Sequence, residues 1–318
     1  MKRYPVKIQH IAKSAIWGGQ RLKLEWGKSG DGENIAETWE LSVRPNEMGT
    51  VLNGEAKGMT LRAYIEACGA DCVSPDYRLE DRFPLLVKLI DAADRLSVQV
   101  HPDDAYAGRV ENDSGKTEMW YIVDAEKDAR IVYGLAPGVT QEDFARGAAE
   151  GRWDDVMCSM PVQAGECYFI PAGMLHAIGK GILIAEIQQN SDLTYRVFDY
   201  NRRQADGSLR ALHTEKALDV VRPFTENEVD EIRFARGRDG DLLANSRYFR
   251  AYRKQVVGEG CLCVSRDSFV SLLCIDGKGE LIFDGESYSV RRGDSYYLPA
   301  GLGECRLTGN MTLICSEL

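Results

Sequence analysis

Histidine is scarce in this chain: only four occur in 318 residues. Any chemistry that needs imidazole must therefore draw on a small, nameable set. No apolar run approaches the roughly 20 residues that span a bilayer, which argues against a membrane protein. The opening residues Met1-Lys2-Arg3-Tyr4-Pro5-Val6-Lys7 lack the apolar stretch of a secretion signal. Long basic runs are missing too, and 39 Lys and Arg against 49 Asp and Glu leave a net charge of −10. That balance argues against nucleic acid as a partner. There are nine cysteines but no C-x-x-C pair, so neither a zinc ribbon nor a thioredoxin-type centre is expected. Odd in number and scattered, they read as the reduced thiols of a cytoplasmic protein.

What is present is mostly short strands punctuated by glycine and proline. Leu96-Ser97-Val98-Gln99-Val100-His101 alternates strictly, placing Ser97, Gln99 and His101 on one face of a strand. Apolar runs of strand length recur at 119–123, 129–133, 167–170 and 182–187. Helical pattern is confined to a stretch behind Thr60 and another behind Thr140, each beginning with a good cap. An internal repeat sets the architecture: Gly165-Glu-Cys-Tyr-Phe-Ile-Pro-Ala-Gly173 returns 128 residues later as Gly293-Asp-Ser-Tyr-Tyr-Leu-Pro-Ala-Gly301. Upstream, Met119–Ala125 resembles Ser271–Gly277. A glycine turn, a short strand and Pro-Ala-Gly after an earlier apolar strand is a cupin-type pattern. The expectation is a mainly β chain of two jelly-roll, cupin-type β-barrel domains. The first, 1–225, would carry the metal site and a small helical insertion near 137–160. The second, 226–318, would be a degenerate cupin-like copy, with the boundary inside the charged, glycine-containing stretch 222–246.

The repeat also separates scaffold from chemistry. His176, three residues past the first Pro-Ala-Gly, is replaced by Glu304 in the second copy, and Glu118 falls opposite Val270. Residues unique to the first copy are the candidates for function. Gln99, His101, Glu118 and His176 form a nitrogen-rich set with one carboxylate, suited to Zn²⁺ or to another divalent ion such as Fe²⁺ or Mn²⁺. His10 and His213 lack such a setting and read as surface or packing residues. Trp17, Trp39 and Trp120 read as packing too. Lys88 sits awkwardly inside the apolar run Leu85–Ile90, as expected of a residue lining a polar pocket.

Several segments resemble type I mannose-6-phosphate isomerase. They are Ile16-Trp17-Gly18-Gly19, Glu37-Thr38-Trp39-Glu40-Leu41-Ser42, Phe83-Pro84-Leu85-Leu86-Val87-Lys88, Gln99-Val100-His101-Pro102-Asp103, Gly115-Lys116-Thr117-Glu118 and Thr194-Tyr195-Arg196-Val197-Phe198-Asp199-Tyr200. They run in the family's order over 16–202, and the length is similar to that of the short bacterial form. The resemblance implies one zinc ion per chain, held by His101, Glu118 and His176 with Gln99 as the fourth ligand, and a functional arginine at Arg196. It implies a hexose phosphate substrate, interconverted between aldose and ketose through an enediolate.

Such a reaction needs a base to carry a proton between C1 and C2, for which Glu186, Lys116 and a metal-bound water or hydroxide all qualify. An acidic chain must supply cations locally for a phosphate. Lys88, Arg202 and the hydroxyl of Ser14 are the substrate-side candidates, and Arg196 with Lys116 would act at the reacting centre. Of the competing readings, an Fe²⁺ cupin oxygenase leaves Lys88, Lys116 and Arg196 without a common purpose, and a non-catalytic sugar-phosphate sensor need not retain Gln99, His101, Glu118, His176, Lys116 and Arg196 all together.

Overall fold

The computed structural model describes residues 1–204, 206–225, 228 and 242–318. The boundary expected within 222–246 therefore falls largely outside the described residues. The chain is mainly β, and among the described residues every strand pairing is antiparallel. A six-stranded sheet runs in the order Cys167–Ile170, Glu118–Ala125, Ile182–Gln189, Leu85–Ala92, Glu37–Leu41, Ile11–Lys13. A five-stranded sheet runs Met157–Pro161, Arg130–Leu135, His176–Ile178, Val98–Val100, Tyr195–Phe198. The two face each other across a core in which Ile90, Trp120, Ile122 and Ile184 meet Ile131, Tyr133 and Ile178. This is a cupin jelly roll whose sheets pack face to face without closing into one continuous barrel.

Side-chain alternation makes each central strand two-faced. On the strands Leu85–Ala92, Glu118–Ala125 and Ile182–Gln189, one parity (Val87, Leu89, Met119, Tyr121, Ala185, Ile187) packs outward into a core shared with Phe269, Leu273, Ile275 and Tyr297 of the C-terminal unit. The other parity points between the two sheets, and it carries the polar exceptions Lys88, Glu118 and Glu186. The far face of the five-stranded sheet is covered by the helices Gln141–Ala149, Trp153–Val156 and Thr214–Val220, through Phe144, Val156 and Ala217 against Val98 and Val100. The first two of these helices lie in the insertion expected at 137–160. Thr140 opens it with a capping box: its hydroxyl accepts the Asp143 N–H while Asp143 accepts the Thr140 N–H.

The C-terminal repeat builds an eight-stranded sheet around its own core of Val264, Leu272, Leu281, Tyr296 and Leu307. The N-terminal strand Val6–Gln9 joins this sheet, pairing Val6 with Tyr297 and Ile8 with Ser295. The repeated motifs occupy equivalent registers. Ile170 faces Glu118 across one ladder, and Leu298 faces Val270 across the other. The second copy thus keeps the scaffold and has an apolar residue at the position of the buried carboxylate.

Candidate functional site

His101, Glu118 and His176 come together at one end of the inter-sheet space, fully buried, with one ligand atom from each within 4.8 Å of the others. His176 opens the strand His176–Ile178, Glu118 opens Glu118–Ala125, and His101 follows Val98–Val100. Three strand ends from two sheets therefore meet at one point. The Nδ1–H of His176 donates to the Met174 carbonyl at 2.8 Å, which leaves its Nε2 as a lone pair. That Nε2 stands 3.1 Å from His101 Nε2 and 3.5 Å from Glu118 Oε1. Glu118 Oε2 lies 3.4 Å from His101 Nε2 and 3.0 Å from the Lys116 ammonium.

The ionisation states follow from burial and charge. Burial, reinforced by Lys116, pushes the His101 imidazole down to about 3, and burial lowers His176 as well. Burial alone would raise Glu118, but the Lys116 ammonium beside it overrides that and holds the carboxyl well below its usual range. Two neutral imidazoles and a carboxylate thus converge; Glu118 Oε1 is buried without a hydrogen-bond donor, and Oε2 has only the Lys116 ammonium beside it. A divalent cation answers that unmet demand, and the N₂O donor set suits zinc.

Beside the triad opens a cavity of about 300 Å³ whose lining includes Gln99 and Lys116. Gln99 lies opposite His176 in the sheet, so its side chain enters the cavity from the five-stranded side. From the six-stranded side, one register row brings Trp39, Lys88, Glu186 and Trp120 abreast. Lys88 Nζ is 3.3 Å from Glu186 Oε1, and the Trp120 indole N–H donates to Glu186 Oε2 at 2.9 Å. Burial and the nearby Glu118 charge raise the Glu186 carboxyl above its ordinary value, with Lys88 opposing. Lys88 is itself raised: burial lowers it, and the carboxylates of Glu37 and Glu186 more than compensate.

Arg196 lines the opposite wall, its Nε donating to Ser97 Oγ at 3.2 Å and its Nη1 to the Ala211 carbonyl at 2.8 Å. The structure therefore brings Lys88, Gln99, Lys116, Glu186 and Arg196 around one cavity next to the triad. Two of the expected substrate contacts stand apart from it. Arg202 is drawn away by Asp199 and by the Arg95 carbonyl, and lies against Tyr200. Ser14 is exposed and donates to the Asn34 carbonyl at 2.9 Å.

Arg210, not singled out from the sequence, does line the cavity, held by both oxygens of Asp199. Trp17 and Trp39 also line it while packing the wall. His213 proves to be a support, its Nδ1 accepting the Arg196 backbone N–H at 3.2 Å. Larger clefts of about 550 and 600 Å³ lie elsewhere on the surface and contain none of the triad.

Residues 6–128 match the model of the phosphomannose isomerase type I catalytic domain, and residues 241–318 match that of the mannose-6-phosphate isomerase cupin domain. The chain is 36% identical to a mannose-6-phosphate isomerase of Streptococcus mutans over 320 residues, covering 98% of each. It is 37% identical over 327 residues to mannose-6-phosphate isomerase ManA of Bacillus subtilis, covering both in full. The crystal structure of a mannose 6-phosphate isomerase from Bacillus subtilis superimposes with a TM-score of 0.87 at 34% identity, covering 99% of both chains.

Proposed function

The chain belongs to the type I phosphomannose isomerase family, and on that premise we propose that it is a zinc-dependent enzyme interconverting mannose 6-phosphate and fructose 6-phosphate. The observation that carries this reading is the adjacency of two sites. A buried His101–Glu118–His176 triad abuts a cavity with a carboxylate on one wall and arginines on another. His101, Glu118 and His176 would hold one zinc ion per chain, with the Gln99 amide oxygen as the fourth protein donor. When bound, the ion supplies Lewis-acid stabilisation of the oxygen charge that develops as C–H is broken.

The chain's own residues do the rest. Glu186 takes the proton from C2 of the open-chain aldose and returns it to C1 through an enediolate, while the hydroxyl proton passes from O2 to O1. Trp120 fixes one of its oxygens and leaves the other on the Lys88 side. A carboxyl raised by burial is a better base than an ordinary one and still gives its proton back. Lys116, 3.0 Å from Glu118, donates towards the sugar oxygens next to the metal. Arg210 presents its guanidinium to the phosphate, and Arg196 stabilises charge on the substrate nearer the reacting centre. Asp199 and Ser97 preorganise them, so little side-chain entropy is lost when the substrate arrives. Arg202 acts at one remove by helping to hold Asp199.

A cytoplasmic setting suits a sugar-phosphate substrate. Among the described residues, no helix is long and apolar enough to cross a membrane. The test is conversion of mannose 6-phosphate by purified protein before chelation, after it, and after zinc restoration. Turnover that disappears and returns is expected. Undiminished turnover in metal-free protein would remove the metal from the reaction, and no turnover in the zinc-loaded protein would remove the substrate assignment.

A further inference from the structure

The segment Gly115–Glu118 carries two site residues and has no regular structure until the strand begins at Glu118. Three successive backbone amides fix it. Gly115 N–H donates to Asp104 Oδ1 at 2.9 Å, Lys116 N–H to the Pro102 carbonyl at 3.0 Å, and Thr117 N–H to Gln189 Oε1 at 2.8 Å. The Gln189 amide closes the arrangement by donating to the same Asp104 oxygen at 3.0 Å. Gly115 is packed too tightly for any side chain: a Cβ there would meet the Asp103 carbonyl carbon and the Asp104 nitrogen at 2.5 Å. The Asp104 carboxylate therefore holds Gly115 directly and Thr117 by way of Gln189.

Its other oxygen is taken from the far side of the molecule. Tyr248 Oη donates to Asp104 Oδ2 at 2.8 Å, across 144 residues of sequence. Tyr248 sits in the turn between the strands Leu242–Asn245 and Arg250–Val264 of the C-terminal unit. Ser246 holds that turn, its hydroxyl accepting the N–H groups of Tyr248 and Phe249 at 3.2 Å each. The neighbouring Arg247 guanidinium contacts the Tyr248 hydroxyl and lies 3.7 Å from Asp104. The ring is thus presented from a fixed turn, and its phenol orients a carboxylate that would otherwise rotate about its own side-chain torsions.

We propose that Tyr248 is a positioning residue through which the C-terminal unit, via Asp104, sets the Gly115–Glu118 segment and so the affinity of the metal site. This rests on the metal site proposed above. It gives the C-terminal repeat a part in the chemistry beyond covering the apolar face of the catalytic sheets. Partners hydrogen-bonded to metal ligands commonly govern affinity by tenfold or more; Asp104 reaches Glu118 through the backbone of Gly115 and, by way of Gln189, of Thr117, so Tyr248 acts further back and its expected effect is smaller.

The experiment is zinc affinity by chelator competition on the full-length protein, for wild type, Tyr248→Phe, Asp104→Asn and the double variant, alongside thermal unfolding of each metal-free form. Tyr248→Phe keeps the ring and removes one hydroxyl. It is expected to weaken zinc binding by about three- to tenfold while the metal-free unfolding temperature stays within a degree or two of wild type. Asp104→Asn is expected to weaken it at least as much, and the double variant no more than Asp104→Asn alone, because both act through one bond. Unchanged affinity in Tyr248→Phe, additive losses in the double variant, or a loss matched by a general drop in metal-free stability would overturn the proposal. Wild-type protein that binds no zinc would instead overturn the metal site itself.

Discussion

The Nε2 atoms of His101 and His176 stand 3.1 Å apart, and neither imidazole is charged at neutral pH. Burial lowers both, His101 to about 3. At pH 6.5 an ordinary pair titrating near 6.5 would hold about one extra proton between them and would release it to an arriving metal. Here the lowered values mean that the pair has no extra proton to give up, and His101 Nε2 instead faces the Lys116 ammonium at 3.1 Å. Zinc binding at pH 6.5, followed by calorimetry in buffers of different ionisation enthalpy, should release well under one proton from the histidines. Release of a full proton or more would place an ordinary imidazole in the site.

Glu186 faces Lys88 at 3.3 Å in the substrate cavity, and its carboxyl is raised by burial and by Glu118. Only the ionised form can accept a proton, so turnover should fall as pH drops through this raised value, above the range of a free carboxylate. Glu186→Gln should lower kcat by roughly 10²–10⁴-fold while zinc content stays stoichiometric, and the variant's residual rate should lack that acid limb. Near-normal turnover would shift the proton transfer to Lys116 or to bound water.

Arg210 and Arg196 line the cavity, whereas Arg202 turns away to Asp199 and the Arg95 carbonyl. A charge-assisted bond to a phosphate is worth about 1.5–3 kcal/mol, which corresponds to roughly ten- to a hundredfold in KM. Arg210→Ala should therefore raise KM for mannose 6-phosphate by that factor. Arg196→Ala should in addition lose most of kcat, and both should keep their zinc. Arg202→Ala should have a smaller effect than Arg210→Ala. The reverse order in steady-state kinetics would return the phosphate to Arg202.

Much of this was legible in the sequence because strands alternate with period two. Gln99 and His101 share a face by spacing alone, and Lys88 is conspicuous because a lysine inside an apolar run must point somewhere polar. The internal repeat exposed Glu118 and His176 by comparison with Val270 and Glu304. Arg210, His213 and Tyr248 were not legible: each reaches its partner from a loop or from the second unit, and loop trajectories leave no periodic mark. The N-terminal strand's place in the C-terminal sheet was hidden for the same reason, since a pairing between Val6 and Tyr297 depends on topology.

In the Trp17-Gly18-Gly19 segment the tryptophan, read from the sequence as packing, also lines the cavity, and the glycines answer to packing. A Cβ on Gly18 would lie 2.5 Å from Ala36 Cβ, and one on Gly19 would lie 2.1 Å from Asp91 Oδ2. Asp91 is buried and holds Arg21 through its backbone N–H and its guanidinium. Gly19→Ala should cost about 1–3 kcal/mol of stability, as overpacking does. In denaturant unfolding the midpoint should fall, while KM of the folded fraction stays near wild type. A KM defect at unchanged stability would make the glycines part of the substrate site.

Asp199 holds both Arg202 and Arg210. Burial would raise its carboxyl, but the guanidinium groups of Arg210 and Arg202 bonded to it prevail and hold it below the ordinary value. For a carboxyl depressed in the folded state, the linked stability is present above the unfolded-state value near 3.9 and is lost as pH falls through the lower, folded-state value. The unfolding-temperature gap between metal-free wild type and Asp199→Asn should therefore be full at pH 5–7 and close in stronger acid. At neutral pH the same variant should raise KM for mannose 6-phosphate, because Arg210 loses the acceptor that aims it into the cavity. A gap that persists unchanged in strong acid would mean that Asp199 acts through its shape alone. A normal KM would mean that Arg210 finds the substrate without being aimed.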